Sequence, residues 1–197
     1  LFPPITILEG GLPKHPIRIF GKDSLLAILS EIAIPAKAIS PLAEAIANFS
    51  KLKKAKYLIC LGGLSEPMRL SLEKLNVYGV ASSGDALNVL KQHNVKILEG
   101  GYMVGPYALI MRECAELGVT AMALLVECFP NYPDPEAAAE VLKVFSRITG
   151  ISVDVSSLIE KGEDIRMKAR DLMRRTSLEL AKMKKRHEYE VPPTLYV

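Results

Sequence analysis

From Val119 to Cys128 the sequence is an apolar run of strand length, apart from Thr120 and Glu127. A strand that is apolar at consecutive rather than alternating positions is covered on both faces, so the chain must build layers around it. We therefore expect Val119–Cys128 to be the central strand of an α/β sandwich, with helices on both sides of the sheet.

The flanking segments agree. Asp134-Pro135-Glu136 has the features of a helix start: a capping carboxylate, proline at the first helical position, and an acid at the positive end of the dipole. Ala138, Val141, Leu142, Phe145 and Ile148 then recur at helical spacing, and Gly150 ends the helix. Upstream, Gly105-Pro106 opens a helix that Gly118 closes, and Asp85 to His93 makes a shorter one. Short strands are expected at Tyr57–Leu61, ending at Gly62-Gly63, at Val77–Ala81 and at Val95–Leu98. Ser40-Pro41 predicts a helix running to about Lys53. Leu64 to Asn76 fits neither periodicity. The alternation of strands and helices implies mainly parallel pairing, in a mainly parallel or mixed sheet.

The first third reads differently. Ile5–Leu8, Ile17–Phe20 and Leu25–Ile32 are strands separated by Gly10-Gly11-Leu12-Pro13 and Gly21-Lys22-Asp23. At the other end, Ser157 and Glu160 form a capping box for a long last helix, with the stripe Leu158, Ile165, Ala169, Leu172 and Met183, reaching about Arg186. With 197 residues the chain is expected to fold as one domain over 1–186, without disulfide or structural metal, followed by a tail over 187–197. Its start at Leu1 implies a truncated or processed N-terminus.

Chemistry is hard to find. Gly62-Gly63 and Gly100-Gly101 are candidate ligand loops, because glycines at strand ends let backbone amides approach an anion. Gly100 and Gly105 have P-loop spacing, yet Pro106 and Tyr107 stand where lysine and a hydroxyl residue are required. Tight turns and close packing explain the same glycines. His15, His93 and His187 are isolated from one another and from cysteines at ligand spacing, which excludes an obvious metal site. Ser82-Ser83-Gly84 lacks the nucleophile-elbow pattern and reads as a loop and helix cap. Cys60, Cys114 and Cys128 are odd in number and set in apolar stretches, as reduced thiols of a cytoplasmic protein would be. No apolar run approaches the length of a membrane span.

The net charge is only +3, and basic residues concentrate between Ile165 and Arg186. A solvated helix face explains them; an acidic protein partner comes next, and nucleic acid is disfavoured by the lack of stacking aromatics. The tail differs in kind: a polar stretch with Pro192-Pro193 ends in Leu195-Tyr196-Val197. A docking peptide, a strand packed on its own domain, and chance all remain open from composition.

Several segments together resemble the archaeal proteasome assembly chaperone family: Phe2-Pro3-Pro4, Pro16-Ile17-Arg18-Ile19, Ser30 to Pro35, Cys60-Leu61-Gly62-Gly63, Gly79-Val80-Ala81, Leu98-Glu99-Gly100-Gly101, Gly105, and above all Pro130 to Ala138. Their order and spacing over Phe2 to about Arg175 carry the resemblance. It implies a nucleoside-phosphorylase-like α/β sandwich without enzymatic activity or cofactor. It also implies a cytoplasmic homo-oligomer whose partner is the α-subunit ring of the proteasome, as an assembly chaperone or activator. Family members usually carry a Gly-rich strand, turn and helix before the segment matching Phe2-Pro3-Pro4, which this sequence lacks. Within the resemblance, Leu195-Tyr196-Val197 matches the hydrophobic-tyrosine-any residue terminus with which activators dock between α subunits, and Pro192-Pro193 is its spacer. The competing reading is a phosphorylase-like enzyme that binds a nucleoside or phosphate at Gly62, Gly63, Gly100 and Gly101.

Overall fold

The computed structural model describes residues 6–130, 133–160, 162, 164 and 167. Two antiparallel hairpins come first, β1 (Ile7–Glu9) with β2 (Leu12–Lys14), and β3 (Ile17–Lys22) with β4 (Leu25–Ser30). Gly10 and Gly11 both take positive φ, the turn that matches the twist of paired strands. Then follow α1 (Ala36–Leu52), β5 (Leu58–Ser65), a 3-10 turn at Arg69–Ser71, β6 (Val77–Ala81), α2 (Gly84–Gln92), β7 (Lys96–Ile97), α3 (Pro106–Leu117), β8 (Ala121–Cys128), α4 (Pro135–Thr149) and α5 (Ser156–Glu160).

The larger sheet has the order β5-β8-β6-β7. β8 is interior, and Ala121, Met122, Ala123 and Leu124 are completely buried, as a strand covered on both faces requires. The sheet is mixed. β6 and β7 are parallel. Leu58 N–H donates to Thr120 O and Glu66 N–H to Cys128 O, so partners advance together and β5 is parallel to β8. Ser82 N–H donates to Ala121 O and Glu127 N–H to Asn76 O, so partners run in opposite senses and β6 is antiparallel to β8.

The chain divides into two units. The first contains residues 6–60, 80–88 and 98–123. Its core sets α1 against α3: Ala43 and Ala47 pack with Cys60, Ile110, Met111 and Cys114. Small side chains on the buried face of α1 let the two helix backbones approach closely. The second contains 61–79, 89–97 and the chain from 124 onward. There α4 buries Ala137, Val141, Val144, Phe145 and Ile148. No helix among the described residues is long and apolar enough to cross a membrane.

Four local expectations are corrected. The first helix begins at Ala36, not at Ser40-Pro41; extended Pro35 precedes it, and Pro41 lies inside. Ala36-Lys37-Ala38 are good helix formers and Ala38 is fully buried, which offsets the hydrogen bond that Pro41 cannot donate. β5 does not stop at Gly62-Gly63 but runs through them to Ser65. Ser157 does not cap α5: the Val155 carbonyl accepts from the amides of Leu158 and Ile159, and Asp154 holds the Ser156 amide at 2.9 Å. The strand expected over Val95–Leu98 is only Lys96–Ile97. The remainder of the last helix, with its basic face, and the tail 187–197 lie outside the described residues apart from positions 162, 164 and 167.

Candidate functional site

The two glycine pairs fall in different units and are glycine for different reasons. A Cβ on Gly63 would collide with Sγ of Cys128, so the residue is small to admit the neighbouring strand's side chain. Gly101 has φ +121° with nothing around the position of a Cβ; its backbone, not its surroundings, requires glycine. Gly100 likewise borders open space, and the loop it begins displays a fully exposed Tyr102. Gly62 lies mid-strand in β5.

The segment from Pro130 to Ala138 is the most informative part of the sequence, and the structure shows what holds its second half. Asp134 caps α4 by accepting from Ala137 N–H at 3.1 Å. Arg69, only 5% exposed, reaches Asp134 Oδ2 from Nε at 2.8 Å and Glu136 Oε2 from Nη2 at 2.7 Å. Its guanidinium stacks 5.1 Å from the centre of the Phe129 ring. Burial pulls the guanidinium pKa down, but the hydrogen bonds to Asp134 and Glu136 outweigh it and the net shift is upward. Arg69 therefore stays charged and clamps the start of α4.

A second network centres on Glu127, 8% exposed on β8. Its carboxylate accepts from Asn76 N–H at 2.8 Å, from the Asn76 side-chain amide, and from Tyr78 O–H at 3.1 Å. Lys96 Nζ donates to Asn76 Oδ1 of the side-chain amide. Burial pushes the Glu127 pKa up, yet those donors and the nearby Lys96 charge hold it below the ordinary carboxylate range. An ionised acid tied to three donors fastens the sheet; proton transfer would break those bonds.

Ser82, Ser83, Cys60 and Cys114 are occupied or suppressed. Ser82 Oγ donates to Val119 O and accepts from Ala121 N–H, while Ser83 Oγ accepts from Ala86 N–H at the start of α2, the loop and cap roles expected of them. Burial pushes the thiol of Cys60 up to about 12 and that of Cys114 to about 11, so neither is a thiolate at neutral pH. Among the described residues no three His, Cys, Asp or Glu side chains gather to hold a metal. Sequence reading missed both networks. Arg69 and Asp134 are 65 positions apart, and Asn76 and Glu127 are 51 apart, with no local pattern to join them. Leu195, Tyr196 and Val197, with Pro192 and Pro193, lie outside the described residues.

Arg69, Asp134 and Glu127 thus hold strands and a helix start within a mixed α/β fold. Residues 1–173 match the PAC2 family, and the chain belongs to it. It is 29% identical over 184 residues to an uncharacterized protein of Methanocaldococcus jannaschii, spanning 93% of this chain and 75% of that one. Two crystal structures of Pyrococcus furiosus PbaA, an archaeal homolog of proteasome-assembly chaperone, share its fold. One aligns with TM-score 0.77 and 27% identity over 96% of this chain and 79% of its own. The other aligns with TM-score 0.80 and 28% identity over 90% of this chain and 77% of its own. Pyrococcus furiosus PbaB, an archaeal proteasome activator, shares the fold at TM-score 0.69 and 18% identity, over 87% of this chain and 78% of its own.

Proposed function

We propose that this protein is a cytoplasmic, non-enzymatic proteasome assembly chaperone or activator that binds the α-subunit ring through Leu195-Tyr196-Val197. The likeness to PbaA over nine-tenths or more of the chain carries the chaperone reading. The terminal motif carries the docking mode. Leu195 fills an apolar notch between neighbouring subunits, Tyr196 is held by its ring and hydroxyl, and the Val197 carboxylate pairs with a lysine. Pro192-Pro193 favours extended polyproline geometry, which reduces the freedom lost on binding. The ten residues from Glu188 onward can reach on the order of 33 Å when fully extended. A three-residue anchor is weak alone, so the working form is a homo-oligomer of single-domain subunits that offers several tails to a ring of equivalent pockets.

The test is binding of the full chain to recombinant α subunits, measured for wild type, Tyr196→Ala and a variant lacking Val197. Tyr196→Ala is expected to leave the unfolding free energy within about 0.5 kcal/mol of wild type. Binding should weaken about thirtyfold per tail, the loss of a typical aromatic hot spot. Unchanged binding by Tyr196→Ala would move the interface onto the globular part, and no binding by wild type would remove the chaperone reading.

A further inference from the structure

The turn that joins α1 to β5 carries Lys51, Lys53, Lys54 and Lys56, and every residue from 51 to 56 is exposed. No acid occurs between Glu44 and Glu66. Among the described residues no carboxylate pairs with any of these lysines, whereas Arg18, Arg69, Arg112 and Lys143 are all paired. Leu52 sits among the charges and is 79% exposed.

The backbone fixes this arrangement. Lys54 N–H donates to Lys51 O and Ala55 N–H to Ser50 O, each at 3.0 Å, a closed turn that ends α1 with Lys54 in the left-handed region at φ +51°. α3 and α4 also end in left-handed residues, and there the residue is glycine, Gly118 and Gly150. Asp23 and Asn94, the other non-glycine residues with positive φ among the described residues, are types that tolerate this conformation. Lysine lacks that tolerance, so its presence at 54 is explained by its charged side chain rather than by the backbone. The carboxyl end of α1 does not require it, since Lys51 already supplies a cation in the last turn.

We propose that the turn over residues 51–56 is an interaction surface for an acidic segment of another protein, with Leu52 as its apolar contact. Four cations without internal partners are complementary to several carboxylates. Leu52 among them calls for an apolar side chain between those carboxylates, which a phosphate backbone does not offer. The adjacent rings are not open platforms for bases, because Lys53 Nζ lies 5.7 Å from the centre of Phe49 and Lys56 Nζ 5.0 Å from that of Tyr57. A single leucine is a small foothold on a lipid surface, which apolar faces of whole amphipathic helices normally supply. This surface lies on the described part of the chain and does not depend on the terminal motif proposed above.

Fluorescence anisotropy with the full chain at low ionic strength tests it, the probe being a labelled nonapeptide of four glutamates on each side of one leucine. Wild type is expected to bind, and to bind far more weakly when salt screens the charges. Changing all four lysines to glutamine should lower affinity at least tenfold, since each exposed pair contributes roughly two- to fivefold. Leu52→Ser should lower it about tenfold. The same number of charges removed elsewhere, by Lys168→Gln, Lys182→Gln, Lys184→Gln and Lys185→Gln together, should change it less than about twofold. Lys54→Gly separates binding from folding: it should bind roughly two- to fivefold more weakly yet melt at or above the wild-type temperature. Absence of peptide binding, an equal loss from the distant lysines, or a Lys54→Gly variant that melts lower would each overturn the proposal. So would tighter, lysine-dependent binding of a single-stranded oligonucleotide or of phosphatidylserine vesicles that ignores Leu52→Ser, which would assign the turn to that partner instead. A chain lacking residues 195–197 should bind the peptide like wild type, so this surface and the α-ring docking motif can fail independently.

Discussion

Replacing Arg69 with methionine isolates the energetics of the clamp at the start of α4. The change keeps much of the side-chain volume and removes the charge from a site where Arg69 is 6% and Asp134 2% exposed in their side chains. Asp134 would then be a buried anion with the Ala137 amide as its remaining donor among the described contacts. Removing one member of a buried ion pair costs about 3–5 kcal/mol. The Glu136 limb adds little, because that carboxylate is 62% exposed and screened. Stacking on Phe129 contributes about 0.5–1 kcal/mol. For a chain of this length each kcal/mol moves the melting temperature about 2–4 °C, so a combined loss of about 3.5–6 kcal/mol should lower the melting temperature of Arg69→Met by about 7–24 °C. Chemical denaturation followed by circular dichroism, with an unchanged m value, gives the free energy. Adding Asp134→Asn removes the stranded charge but keeps a capping oxygen for Ala137, so the double variant should be more stable than the sum of the single losses predicts, by about 1–3 kcal/mol. A loss under about 1 kcal/mol for Arg69→Met, or strict additivity in the double variant, would refute the clamp.

Other substitutions probe the remaining contacts. Gly63→Ala should cost about 1–3 kcal/mol by overpacking against Cys128, and Cys128→Ala in the same chain should recover most of it; a fully stable Gly63→Ala by thermal denaturation would contradict the packing. Glu127 has a lowered folded pKa, so its contribution is complete above the unfolded value of about 4.3 and is lost as pH falls from there through the folded value. Glu127→Gln should therefore flatten the acid side of the stability profile below pH about 4.3, and an unchanged slope there would show that the network does not set it. Phosphate and nucleosides should not move the melting temperature, whereas a ligand at a hundred times its Kd would add about 2.7 kcal/mol. A phosphate-dependent rise that disappears in Gly101→Val would favour the enzyme over the chaperone.

What could be read in advance depended on how far the deciding information lies along the chain. β8 was legible because burial on both faces leaves an apolar run from Ala121 to Val126, and α4 because Asp134, Pro135 and Gly150 each act on the backbone beside them. The start of α1 was not, since Ser40-Pro41 has the same local signature whether proline opens a helix or sits in its second turn. Gly62-Gly63 looked like a strand end for a similar reason: a turn and a close packing contact both ask for glycine, and only the placement of Cys128 decides between them. The antiparallel pairing of β6 with β8 follows from the sheet order rather than from the alternation of elements. Arg69 had no periodicity to reveal it. The hairpin was expected as strands, but its exposure on both sides belongs to the folded surface.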